Sequence, residues 1–293
     1  MSLTKSTTTD AFLAIDLDQA QVAQGVLRCA KKVLADGAWN LARSTTYAAA
    51  AYGLQISGAS GGVNAEGDDR DAAVAAFVSE LADRSIAPVL ALDPGKGISA
   101  AELEPLRATD PRHDSSDPRE FMAAGVLAGV SAVLGEVGAL TVAIESAAPL
   151  AEVLSARFAA AGATIVECDP ALSVACDVIV VGSKPGRVDH EIAAEISARV
   201  IAPGGWLPVT ARALAVARRT GTIVLPDFVC FAGPLLEGWG PPESDSEAAL
   251  VARLGEIVTE AGPHVDGLFL GACEVAEEYL ASWATVPFGR PIP

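Results

Sequence analysis

Three short stretches of this 293-residue chain carry side chains whose types and spacing suit chemistry. In TDPRHDSSDPR (109–119), His113 is followed by Asp114. An imidazole beside a carboxylate can take up and release a proton near neutral pH; an exposed loop histidine is the plain alternative. The second stretch is Gly182-Ser183-Lys184-Pro185-Gly186-Arg187, which follows the apolar run CDVIVVGS (176–183). It puts backbone N–H groups and two cations where parallel strands end and ligands bind, a setting able to hold an anion. The third is Glu167-Cys168-Asp169 at the end of ATIVECD (163–169). There Asp169 can bind a ribose 2′-hydroxyl, or simply start a turn before Pro170. No H-x₃-H or HExxH spacing exists, and none of the five cysteines forms a CxxC pair. No metal site is expected, and the cysteines read as buried free thiols.

The elements that must position these groups follow from composition and patterning. Half of the residues are apolar, so the chain can bury large cores, and its length suits two domains. The formal charge of −17 excludes nucleic acid and anionic membrane as expected partners, because phosphate contacts need clustered Lys and Arg. MSLTKSTTTD has no apolar core of a signal peptide, and no uncharged apolar run of about 20 residues occurs, so a cytoplasmic protein is expected.

FLAID (12–16) reads as a strand, residues 20–44 as largely helical with a break near Gly37, and residues 47–53 as further helix. Residues 54–56 start a short strand, and SGASGG (57–62) reads as a glycine-rich loop. A helix over 69–83 and a strand at APVLAL (87–92) follow, and the Pro-interrupted 109–119 stretch reads as an interdomain loop. Beyond it, a helix over 120–134 leads into regular alternation: strands at 141–146, 163–169, 176–183, 199–203 and 222–227, helices near 149–160, 189–197 and 210–219. Apolar strands alternating with helices predict a parallel sheet covered on both faces. Residues 247–259 and 268–283 read as closing helices.

Several ordered blocks of the sequence resemble the glutamate/leucine/phenylalanine/valine dehydrogenase family, most closely its leucine/valine branch. They are Leu41-Ala42-Arg43 with Thr46-Tyr47, Ala91-Leu92-Asp93-Pro94-Gly95, Ser116-Asp117-Pro118 through Phe121 with Ala123-Ala124-Gly125-Val126, and IVLPDF (223–228) with Ala232-Gly233. The resemblance implies an α/β protein of two domains. Residues 1–118 would form an α/β substrate and dimerisation domain, and 119–250 a Rossmann-like, doubly wound parallel-sheet domain. Residues 251–293 would be helices packing back across the cleft, and a homodimer is expected. The family reaction is reversible oxidative deamination of an amino acid with NAD(P). Of its two catalytic lysines, one falls on Ala48 and the other on Ser60, within a segment that also holds Gly61 and Gly62. The family's proton-shuttling aspartate is kept as Asp93, which before Pro-Gly is also an ordinary turn residue. Ala48 cannot pair with a carboxylate, and Ser60 carries no charge. Each such loss typically costs about 10²–10⁴ in rate. Lys96, three residues after Asp93, is a candidate relocated amine, and Asp117 and Trp206 are candidate substrate contacts.

The cofactor side departs from the family too. A dinucleotide site needs G-x-G-x-x-G/A between strand and helix, for a tight turn and close approach of the pyrophosphate to the helix N-terminus. The matching stretch is Glu145-Ser146-Ala147-Ala148-Pro149-Leu150-Ala151, so Ser146 and Ala148 replace two glycines. Family asparagines near the nicotinamide ribose fall on Trp206 and Phe231, large enough to fill vacated cofactor space. Ordinary NAD(P) binding is therefore not expected. Three readings follow: an enzyme repurposed for a different, non-redox reaction on an amino-acid-like substrate in the interdomain cleft, with Asp93 as acid/base; a non-catalytic binding or partner protein; and a genuine NAD(P)-dependent oxidoreductase in which Lys96 or Ser60 covers for the missing amines.

Overall fold

The computed structural model describes residues 1–83, 88–112, 117–168, 170–241 and 246–293. The protein is α/β, with two five-stranded sheets, and divides into two compact units. The first comprises Met1–Arg112 and Leu280–Pro291; the second comprises His113–Tyr279 and Ile292–Pro293.

The first unit is built on strands β1 (Ser2–Lys5), β2 (Ala11–Ile15), β3 (Val22–Ala30), β4 (Ser57–Asn64) and β5 (Val89–Pro94), in the order β1-β2-β4-β3-β5. β3 is parallel to both β4 and β5, whereas β1 and β2 run antiparallel to their neighbours. Two sequence expectations are corrected here. Part of the 20–44 stretch expected to be helical is β3, and the expected SGASGG loop is β4, buried along nearly its whole length. In VAQGVLRCA the residues alternate: Ala23, Leu27 and Cys29 join one apolar core, while Gln24, Val26 and Arg28 point to the opposite face. The small residues of β4 answer a steric demand. Helix α1 (Ala35–Ala51) lies so close that a Cβ at Gly58 would come within 1.6 Å of the Ala42 carbonyl oxygen. The Gly58 N–H donates to Thr46 Oγ1 at 2.8 Å, fixing helix to strand.

Helix α2 (Arg70–Ala82) covers the core face, as its periodicity predicts. Val74, Phe77, Val78 and Leu81, spaced i, i+3, i+4, i+7, are all buried against Leu13, Leu27 and Leu92. Each contributes about 1.5–3 kcal/mol by leaving water. A short helix α3 (Glu104–Arg107) closes this layer through Leu106, together with Leu103 just before it.

The second unit opens with α4 (Pro118–Leu134), whose first turn is set by Pro118 at its start and by Asp117, which accepts the Arg119 N–H at 3.0 Å. Strands β6 (Thr141–Ile144), β7 (Thr164–Glu167), β8 (Val178–Val181), β9 (Val200–Pro203) and β10 (Ile223–Val224) form a wholly parallel sheet in the order β10-β9-β8-β6-β7. Between them run α5 (Ala151–Ala160), α6 (His190–Glu195) and α7 (Ala211–Thr220). Each strand and helix meets the alternation predicted from sequence. α7 shows how locally this is encoded: Thr210 accepts the Ala213 N–H, Arg218 and Arg219 sit in the last turn, and Gly221 ends it at φ +79°. Helices α8 (Asp227–Cys230), α9 (Gly233–Trp239), α10 (Ser246–Ala261) and α11 (Leu268–Ala281) complete the described chain. No helix of the described residues is long and apolar enough to cross a membrane. None of the five cysteines forms a disulfide, three of them are buried, and among the described residues no cluster of His, Cys, Asp or Glu could hold a metal ion.

Candidate functional site

In the first unit, the chemistry-bearing residues collect at the carboxyl ends of the parallel strands β3, β4 and β5. Val26 lies between Ser60 of β4 and Asp93 of β5 in register, so all three share the face opposite the α2 core. Arg28 follows on that face one pleat further along, opposite Gly62. Its Nη2 lies 3.5 Å from Ser60 Oγ, and its stem crosses Gly95, where a Cβ would sit 2.7 Å from Arg28 Cγ. Asp93 is paired with Arg112 through Nη1 at 2.8 Å. The same guanidinium grips Asp110 through Nε and Nη2. Burial opposes ionisation of Asp110, yet the Arg112 hydrogen bonds and charge outweigh it and hold its pKa below the ordinary value.

The sequence-derived candidates distribute unevenly around this cluster. Asp93 lies in it, 38% exposed and ion-paired with Arg112. Ser60 lies in it but is fully buried, so it touches Arg28 and cannot take the place of a freely moving amine. Gly62 shares the face, packed under Phe12 and Val33, whereas Gly61 faces the core and abuts Leu27. Lys96 is exposed, and its backbone carbonyl accepts the Cys29 N–H at 2.9 Å. Asp117 caps α4 and pairs with Arg119. His113 and Asp169 lie outside the described residues. Ala48 is fully buried in α1. Arg43, in the same family-like block, is equally structural: its Nε and Nη2 hold the buried Asp16 carboxylate at 2.8–2.9 Å, and Nη1 donates to the Phe288 and Gly289 carbonyls.

In the second unit, the strand order reverses between β6 and β8, the crevice in which parallel sheets of this type bind ligands. Here it holds a side chain of the chain itself. Glu145, immediately after β6, accepts the N–H groups of Gly182 and Ser183 at 2.9 Å each, the Ser183 hydroxyl at 2.7 Å and Arg187 Nε at 2.5 Å. Burial pushes its pKa up, but these donors overcome that and hold it at about 2. The glycine turn after β8 thus grips an anion, and that anion is Glu145. Nothing in the local sequence marks Glu145 for this role, because its partners Gly182, Ser183 and Arg187 lie far from it along the chain.

The turn after β6 is closed as well. Ala148 is buried, and a Cβ at Gly204 would lie 2.9 Å from Ala148 Cβ. The Leu150 N–H donates to the Gly204 carbonyl at 3.2 Å, and those of Ala148 and Ala151 are spent on Glu145 and Ala148 carbonyls. Pro149 has no N–H to offer. Ser146 is exposed on the same turn. A pyrophosphate would need this space and these donors, and it would face the Glu145 charge. The residues present do not fit a nicotinamide dinucleotide bound in the ordinary way. Beyond β9, Trp206 packs edge-to-face on the buried Phe231, with ring centroids 4.9 Å apart. Leu207, at φ +57°, donates its N–H to the buried Asp227 at 2.8 Å, which pins this turn.

This architecture is that of the amino-acid dehydrogenases. The hetero-hexameric glutamate dehydrogenase of Thermus thermophilus, in its leucine-bound form, superimposes with a TM-score of 0.78 at 17% identity, over 93% of this chain and 83% of that one. L-tryptophan dehydrogenase of Nostoc punctiforme gives 0.72 at 15% identity, over 96% and 95%. Plasmodium falciparum glutamate dehydrogenase gives 0.73 at 14% identity, over 94% and 80%. No protein-family model matches the sequence, and no curated protein matches it. The likeness to these enzymes is one of fold.

Proposed function

We propose that this chain descends from the amino-acid dehydrogenases, has given up nicotinamide-dependent hydride transfer, and acts on an amino-acid-like molecule at the carboxyl end of β3, β4 and β5. The observation that carries this reading is the Glu145 carboxylate seated at the β6–β8 crevice, with Ala148 and Leu150 packed on Gly204 beside it. Ala48 and Ser60 point the same way, since neither supplies an amine. Asp93 is the group able to exchange a proton with a bound ligand, in a non-redox reaction. A second reading, binding without turnover, is favoured by the Arg112 ion pair that restrains Asp93. Homodimer assembly through the first unit and a cytoplasmic setting are part of the proposal by resemblance.

The test is reductive amination of a panel of branched, aromatic and acidic 2-oxo acids with ammonium and NADH or NADPH, followed by nicotinamide absorbance. Two missing amines at about 10²–10⁴ each place the expected rate at least about 10⁴-fold below that of an intact enzyme assayed alongside. Turnover within about 10-fold of the intact enzyme would refute the proposal.

A further inference from the structure

Arg28 differs from five other half-buried or buried arginines among the described residues. Arg43, Arg70, Arg112, Arg157 and Arg187 are each neutralised by carboxylates. Among the described residues no carboxylate pairs with Arg28. Its Nε is buried without a hydrogen-bond partner, and Nη2 makes only the long 3.5 Å contact with the neutral Ser60 hydroxyl. Burial alone lowers its pKa from the ordinary guanidinium value, with no opposing charge to raise it. A guanidinium stays charged in such surroundings. Leaving a charge partly desolvated and unpaired is costly, so it is a group waiting for an anion.

Its position defines that anion. Arg28 stands at the carboxyl end of β3, opposite Gly62 of β4, over which Phe12 and Val33 pack, and with its stem lying against Gly95 just past β5. Asp93 projects from the neighbouring strand on the same face, one pleat back, at a strand repeat of about 7 Å for two residues. A cation and an anion so placed, the anion shared with Arg112 Nη1 at 2.8 Å, match the two charges on the α-carbon of an amino acid.

We propose that Arg28 is the carboxylate receptor of this protein. Its guanidinium binds the carboxylate of an amino-acid ligand in place of the amine that Ala48 and Ser60 no longer supply, while Asp93 accepts from the ligand's ammonium group. Ser60 is a positioning residue that steadies Nη2. This rests on the proposed retention of ligand binding in the first unit, but not on the loss of the dinucleotide.

The experiment uses the full chain and two probes that make no side-chain demand, acetate and glycine, each against chloride at equal ionic strength, with glycinamide as the control lacking a carboxylate. At about 100 mM, a ligand of roughly 10 mM affinity raises the thermal midpoint by about 2–4 °C. The expected result is that rise with acetate and glycine, none with glycinamide, and none with any probe in Arg28→Met. Arg28→Met without ligand should melt no lower than the parent, because it removes an unpaired charge; a structural arginine would leave it less stable. Arg28→Lys keeps the charge but loses the fork, and should weaken glycine binding by about 10-fold. Equal shifts in parent and Arg28→Met, no shift in the parent, or a Met variant that no longer folds would each overturn the inference. Failure of the dehydrogenase-loss reading is seen separately, as dinucleotide binding, and leaves the acetate and glycine results standing.

Discussion

Arg43→Ala is expected to lower the unfolding free energy by about 3–5 kcal/mol, the usual cost of breaking a buried ion pair. The Asp16 side chain is fully buried and that of Arg43 is 7% exposed. Truncation leaves the Asp16 carboxylate without its two-pronged donor, and it removes the tie to the Phe288 and Gly289 carbonyls as well. One side chain thereby joins α1, the end of β2 and the 280–291 segment. Because α1 lies directly on β4, loosening it also loosens the strand that carries Ser60. Urea denaturation of Arg43→Ala, Asp16→Ala and the double variant measures this. The double variant should be less damaged than the sum of the singles, since Asp16 is no longer left charged and alone. A loss below about 1 kcal/mol for Arg43→Ala would place the pair with ordinary surface salt bridges and contradict the assignment.

Glu145→Gln is expected to cost on the order of 2–4 kcal/mol at neutral pH, because Arg187 loses its counter-charge and two backbone N–H groups face a weaker acceptor. The pH dependence has a definite sign. The Glu145 pKa is held at about 2 in the folded chain, below its ordinary value of 4.5. A depressed carboxyl contributes its full stabilisation above the unfolded pKa and loses it as pH falls through the folded one. The stability gap between parent and Glu145→Gln should therefore be constant above about pH 5 and should close between about pH 4.5 and pH 2. Thermal melts of both proteins across that range measure the difference directly, so that other carboxylates cancel. A gap that stays constant down to pH 2 would show that Glu145 is not held as an anion.

What the sequence made legible depended on how each strand is buried. In the second unit, VIVV (178–181) is apolar on both faces and each helix has its own start or stop signal, as at Thr210 and Gly221, so the βα alternation reads directly. In the first unit, β3 is VAQGVLRCA, rich in good helix formers, and its two-residue period is interrupted by Gly25. β4 is glycine and serine for a reason that no local rule reveals, the close approach of α1. Tertiary packing decided both elements, against local propensity. The site suffered accordingly. Arg28 lies in the 20–44 stretch that read as largely helical, and only its strand register sets it beside Ser60 and near Asp93. Arg112 sat in a stretch read as a loop, and its grip on Asp93 and Asp110 is a matter of distance in space. Ser146 and Ala148 could be seen to depart from the resembling family's glycine pattern, but the hold of the turn after β8 on Glu145, one residue earlier, is a matter of distance in space.

On the proposed function, Glu145, Ala148 and Leu150 close the β6–β8 crevice of the second unit to a dinucleotide. Calorimetric titration of the purified protein with NAD⁺, NADH, NADP⁺ and NADPH tests it most directly. No saturable heat is expected from any of the four at millimolar concentration. Saturable binding near micromolar affinity would mean that Glu145 and Ala148 yield to a pyrophosphate, and it would return the protein to the working dehydrogenases.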